Sequence, residues 1–114
     1  MPLLGKSEKW IPTNINLYAG QQVRISASGT ITFGPWGSWP FTPAGENKTA
    51  GGGSPAPGLY KNSLVAMAGG QPVYIGNGGI ITAASDTQLY VASNDDFWVD
   101  NDGKWDLVID VIYK

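Results

Sequence analysis

Ten residues near the carboxyl end, Asn94-Asp95-Asp96-Phe97-Trp98-Val99-Asp100-Asn101-Asp102-Gly103, carry four carboxylates and two side-chain amides with no Lys or Arg among them. Like charges at this density repel, so a positive group is expected at the stretch. A divalent ion fits better than a protein partner. Carboxylate and amide oxygens on a tight loop are the hard ligands that calcium takes several at a time, at about 2.3–2.6 Å. The same residue types also build ordinary hairpin turns, because Asn and Asp bond their own backbone and Gly supplies positive φ. The density of acids alone does not choose between a metal loop and a turn. An EF-hand is excluded: with Gly103 at its invariant glycine, the first ligand position falls on Trp98 and the twelfth on Ile109.

Composition removes several chemistries. The chain has 114 residues, no His and no Cys. It therefore lacks the commonest general base, the usual zinc ligands, disulfides and thiolate sites. Net charge is −2, and the seven basic residues are scattered. No clustered basic face exists for a phosphate backbone, so nucleic acid is not expected as a partner. No run of about 18 apolar residues exists for membrane insertion, and the start, Met1-Pro2-Leu3-Leu4-Gly5-Lys6, lacks the apolar core of a signal peptide. Synthesis as a soluble cytosolic chain is expected, with any extracellular role requiring another export route or release on lysis.

Positioning this loop falls to β-strands. Sixteen glycines, eight prolines and short β-rich runs between turn residues predict one all-β domain spanning residues 1–114, a sandwich or barrel. Trp10-Ile11 before Pro12 predicts a short opening strand. Residues 22–28 alternate, with Val23, Ile25 and Ala27 on one face. Gly29 punctuates, and residues 30–33 read as a second strand. Residues 63–67 predict a buried strand, and Asn77-Gly78 between residues 72–76 and 79–83 predicts a hairpin. Residues 87–92 lead into the acidic stretch. The closing strand, residues 105–113, places Trp105, Leu107, Ile109 and Val111 on one face and Asp106, Val108, Asp110 and Ile112 on the other.

Residues 34–58 break the pattern. Rich in Gly, Pro, Ser and Trp, they read as a long loop whose Trp36, Trp39 and Phe41 argue for packing, with the tryptophans as lids over one end of the core. Gly51-Gly52-Gly53-Ser54 is no P-loop, since the Lys-Ser/Thr pair and the following helix are missing.

The order of these features resembles the calcium-dependent galactophilic bacterial lectins of the PA-I (PA-IL-like) family. It is carried by Ala19-Gly20-Gln21-Gln22-Val23, Ala27-Ser28-Gly29, Phe33-Gly34-Pro35, Pro57-Gly58-Leu59, Leu64-Val65-Ala66-Met67, Asn94-Asp95 and Asp100-Asn101-Asp102-Gly103. It runs from about Leu17 to Val111, and the closing D-N-x-G before an alternating strand is its most specific part. The resemblance implies an antiparallel β-sandwich of jelly-roll, galactose-binding-domain-like type. It implies a calcium ion held by the carbonyl of Phe33, by Asp95, by a loop carbonyl on Phe97 or Trp98, and by Asp100 and Asn101. Asp96 would be a replacement or extra ligand.

The same resemblance implies a galactose site in which two vicinal sugar hydroxyls complete the calcium shell while ligand carboxylates accept hydrogen bonds from them. Asp95, Asp96, Asp100 and Asn101 would line it. Trp98 with Phe97 would offer the sugar an aromatic face or pack the loop onto the sandwich. Where the family uses a His and a Gln against the sugar's hydroxymethyl, this chain has Ser54 and Pro57, a departure that weakens galactose specificity. Galactose-containing or other glycans are the expected partners, and a homo-oligomer, dimer or tetramer, is expected by analogy.

Two other function classes stand beside the lectin. A hydrolase using Asp95 and Asp100 would need one carboxyl kept protonated in an apolar setting. A bound cation would lower both pKa values, and Ser54 as a nucleophile would lack a base, so no enzyme is expected. A structural or assembly β-sandwich with a stabilising or empty metal site is the remaining alternative.

Overall fold

The computed structural model describes residues 1–6, 9–33, 40–95 and 101–112. The described chain forms strands β1 (Pro2–Leu4), β2 (Ile11–Leu17), β3 (Gln22–Thr32), β4 (Pro40–Phe41), β5 (Leu64–Met67), β6 (Val73–Tyr74), β7 (Gly78–Thr82), β8 (Thr87–Ser93) and β9 (Asp102–Ile112). Every pairing between them is antiparallel. One sheet runs β1-β9-β3-β4, with β7 sharing the free edge of β3, and the other runs β2-β8-β5-β6. The protein is an antiparallel β-sandwich, and no helix occurs among the described residues.

Alternation along β3 and β9 decides which faces meet. Val23, Ile25, Ile31, Trp105 and Leu107 are buried and join Leu64, Ala66, Leu89 and Val91 of the facing sheet in one core. Each such large apolar side chain contributes about 1.5–3 kcal/mol when removed from water. Trp105, fully buried at the centre, donates its indole N–H to the Phe41 carbonyl at 3.1 Å. That bond satisfies the only polar atom of the side chain, which allows a tryptophan there. A smaller cluster of Ala56, Val65 and Ala92 lies on the opposite face of β5 and β8, with Trp10 and Leu59 packed against it.

Several expectations are corrected. Gly29 does not end a strand: β3 runs through it and pairs with β9 from Gln22↔Ile112 to Thr32↔Asp102. The glycine is needed because its φ is +99° and a Cβ would meet the Lys104 carbonyl at 2.8 Å. Pro12 does not stop β2 either, because β2 is an edge strand where a missing N–H is tolerated. The strand bends there, with a register shift between Pro12 and Asn16 and with Asn14 at φ 64°. Asn77-Gly78 turns the chain but builds no hairpin. β6 pairs with β5 and β7 with β3, so the turn carries the chain from one sheet to the other. The Leu64 carbonyl accepts from the Ile75 and Gly76 amides, and the Asn77 carbonyl from the Ala27 amide, which holds the turn between the sheets. β1 had no counterpart in the sequence reading, because three residues carry no readable period.

The described part of the middle segment is not structureless. Lys61 donates its backbone N–H to Lys48, and Glu46 donates to Lys61. Ala50 donates to Leu59, and Thr49 bridges Tyr60. Residues 46–50 and 58–61 thus form two arms around a tip at residues 51–57. Trp36 and Trp39 lie outside the described residues.

Candidate functional site

The β3–β9 ladder closes at Thr32↔Asp102, so one step further sets Phe33 beside Asn101. In the other sheet β8 ends at Ser93 opposite Leu64, and Asn94 and Asp95 follow. The end of β3, the exit of β8 and the entry of β9 therefore converge at one end of the sandwich. The Asp95 amide bonds back to the Ser93 carbonyl at 2.9 Å, turning the chain out of the strand.

Asp95 is 9% exposed and Asn101 is fully buried. The Asn101 Nδ2 donates to Asp95 Oδ2 at 2.8 Å and to the Gly5 carbonyl at 3.1 Å. Two acceptors facing the same nitrogen fix the orientation of the amide. Asn101 Oδ1 is left sealed from solvent with no hydrogen-bond partner. An unsatisfied buried acceptor costs about 1–3 kcal/mol, and the amide that carries this one is bonded through its nitrogen to a carboxylate. The free amide oxygen of Asn101 and the carboxylate of Asp95 are hard oxygen donors of the kind a calcium ion takes. Among the described residues no three acidic side chains come together.

Gly5 belongs to this arrangement. A Cβ on it would meet Ile31 Cγ2 at 2.7 Å and Asn101 Cβ at 3.3 Å, so only glycine brings its carbonyl this close to the Asn101 amide. Its own N–H continues the ladder beyond β1 by bonding the Gly103 carbonyl at 2.8 Å.

Phe33 is buried, its ring 6.1 Å from those of both Phe41 and Trp105. The ring belongs to the core, so any part it plays at the site falls to its carbonyl. Asp96, Phe97, Trp98 and Asp100 lie outside the described residues. Ser54 is 8% exposed, whereas Pro57 is exposed.

Asn94, which the sequence reading gave no role, ties the middle loop to this site. Its buried side chain accepts from the Ala56 amide at 2.9 Å and donates to the carbonyls of Ala56 at 2.9 Å and Tyr60 at 3.0 Å. Its backbone accepts from Asn62 and donates to Ser63, both at 2.8 Å. The only sequence signal was an amide, rather than an acid, at the head of the acidic stretch.

The fold so defined is an antiparallel β-sandwich of two sheets. Among solved structures the chain is similar to one described as "EclA N-terminal domain; PllA-like lectin", with a TM-score of 0.77 and 22% identity over 98% of this chain and 94% of that one. At that identity the shared property is the fold, which is therefore of the PllA-like lectin kind and is not tied to the PA-I lectins in particular. No family model matches the chain, and no curated protein does.

Proposed function

We propose that this protein is a calcium-dependent carbohydrate-binding lectin, selective for galactose or galactosides, and not an enzyme. The observation that carries the reading is the buried Asn101–Asp95 pair with Asn101 Oδ1 lacking a partner. Asp95, Asn101, Asp100 and the carbonyls of Phe33 and of Phe97 or Trp98 would hold the ion, with Asp96 as a replacement or extra ligand. The ion, when bound, supplies coordination positions that two vicinal sugar hydroxyls complete. The carboxylates of Asp95, Asp96 and Asp100 accept hydrogen bonds from those hydroxyls, which grips a neutral sugar by charge-assisted bonds. Trp98 with Phe97 would offer an aromatic face to the sugar's C–H side or pack the loop onto the sandwich, and Ser54 and Pro57 would form the wall at the sugar's outer edge. Homo-oligomerisation would place several weak sites on one assembly and raise avidity.

The test is a glycan array with calcium and with EDTA, followed by retention on immobilised galactose. Retention is expected in calcium and is expected to vanish with chelator and in Asp100→Ala. Undiminished binding in excess chelator would overturn the metal-bridged reading. The buried Ser54 and the side chain of Pro57, which has no polar group, favour a second reading, a structural sandwich with a stabilising ion. A calcium-induced rise in melting temperature without any array signal would select it.

A further inference from the structure

The tip of the middle loop cannot order itself. Gly51, Gly52 and Gly53 are exposed and consecutive, and glycine loses more conformational freedom on ordering than any other residue. The tip's backbone bonds are local turns, Ser54 to Gly51 at 3.1 Å and Gly58 to Ala50 at 3.0 Å. Among the described residues, the side-chain hydrogen bonds that tie it to the sandwich come from the Asn94 amide, both of whose ends are used on the loop. A third, longer contact reaches the Leu59 carbonyl at 3.5 Å. Ala56 is buried against Val65 and Ala92 beneath this clamp.

Asn94 is peptide-bonded to Asp95, which is bonded to Asn101. One peptide unit and a chain of buried hydrogen bonds therefore join Asn101, at the candidate metal site, to Ala56, at the loop tip. We infer that Asn94 is a positioning residue that couples the metal site to the loop carrying Ser54 and Pro57, so that an ion at Asp95 and Asn101 sets the sugar-facing wall in place. The inference deepens the lectin reading and rests on it for the sugar's part. Asparagine is required because the site needs an acceptor for the Ala56 N–H and donors for the Ala56 and Tyr60 carbonyls. Aspartate supplies only acceptors and sets a charge against two carbonyl oxygens.

The experiment uses the full chain, wild type and Asn94→Asp, with calcium alone and with calcium plus methyl galactoside. Three quantities are read: calcium affinity, galactoside affinity, and hydrogen exchange at the Ala56 amide. In the wild type, calcium alone is expected to slow Ala56 exchange at least tenfold. In Asn94→Asp that slowing is expected to disappear and galactoside affinity to fall at least tenfold, with calcium affinity held within about threefold. Wild-type galactoside affinity in the variant, or equal losses of calcium and galactoside affinity, would overturn the positioning role. If Asn94→Asp does not fold, the wild-type exchange measurement decides: Ala56 exchange unchanged by calcium refutes the coupling. A wild type that binds calcium and no glycan sinks the lectin reading instead, and the exchange result then judges the coupling separately.

Discussion

Calcium should stabilise this protein, and one amide oxygen should account for most of the effect. Asn101 Oδ1 is buried without a partner, a defect of about 1–3 kcal/mol that an ion coordinated by it would remove. Binding to the folded chain alone adds RT ln(1 + [L]/Kd), about 2.7 kcal/mol when calcium stands at about 100 times its Kd. For a domain near this size about 1 kcal/mol shifts Tm by roughly 4 °C or more, so a rise of about 10 °C is expected. Asn101→Leu keeps the volume and removes the donor oxygen. If the missing ligand weakens calcium about a hundredfold, the same calcium stands at the new Kd and contributes RT ln 2, about 0.4 kcal/mol. The shift should then shrink to about 2 °C. Thermal melts followed by circular dichroism, in calcium, in magnesium and in EDTA, measure this directly. Magnesium should give less in the wild type, because it demands near-octahedral geometry at about 2.0–2.1 Å. Equal calcium shifts in wild type and Asn101→Leu, or none in the wild type, would refute the reasoning.

Three further outcomes follow from the fold. Gly29→Ala places a methyl 2.8 Å from the Lys104 carbonyl at φ +99°, and chemical denaturation should show a loss of about 2–4 kcal/mol. Trp105→Phe removes the indole bond to the Phe41 carbonyl and leaves a cavity where the larger ring packed, so denaturation should show about 2–3 kcal/mol lost, with the Tm rise on calcium retained. The Tyr74 phenol is raised above its ordinary 10.0 by burial and then by the neighbouring Tyr60, with which it makes an edge-on ring pair. Its folded pKa lies above its unfolded one, so its contribution is intact below pH 10.0 and is lost as pH rises from there through the folded value. Tyr74→Phe should flatten the alkaline decline of Tm, while losing the bond to the Ala44 carbonyl.

Much of the fold was legible because alternation is a local property. The inward set Val23, Ile25, Trp105 and Leu107 can be read from a period of two, and burial bears it out. Local turn chemistry was misleading at Asn77-Gly78. The dipeptide states that the chain turns, and whether the next strand pairs with the previous one or crosses to the other sheet depends on which partner edge is free. Gly29 misled for a related reason: its positive φ and close approach to Lys104 exist only once β9 lies alongside.

The sequence by itself determined that the chain is all-β, that β3 and β9 carry an inward apolar set, and that side-chain oxygens gather between β8 and β9. Those properties follow from spacing along the chain, which no distant residue alters. Only the tertiary structure decided that Gly5 and Asp95 both take up the Asn101 amide nitrogen, leaving its oxygen without a partner. It alone decided that Asn94 holds the middle loop. Hydrogen bonds between residues 38 or 96 positions apart in the chain have no local period, because they are set by which strand ends the two sheets bring together.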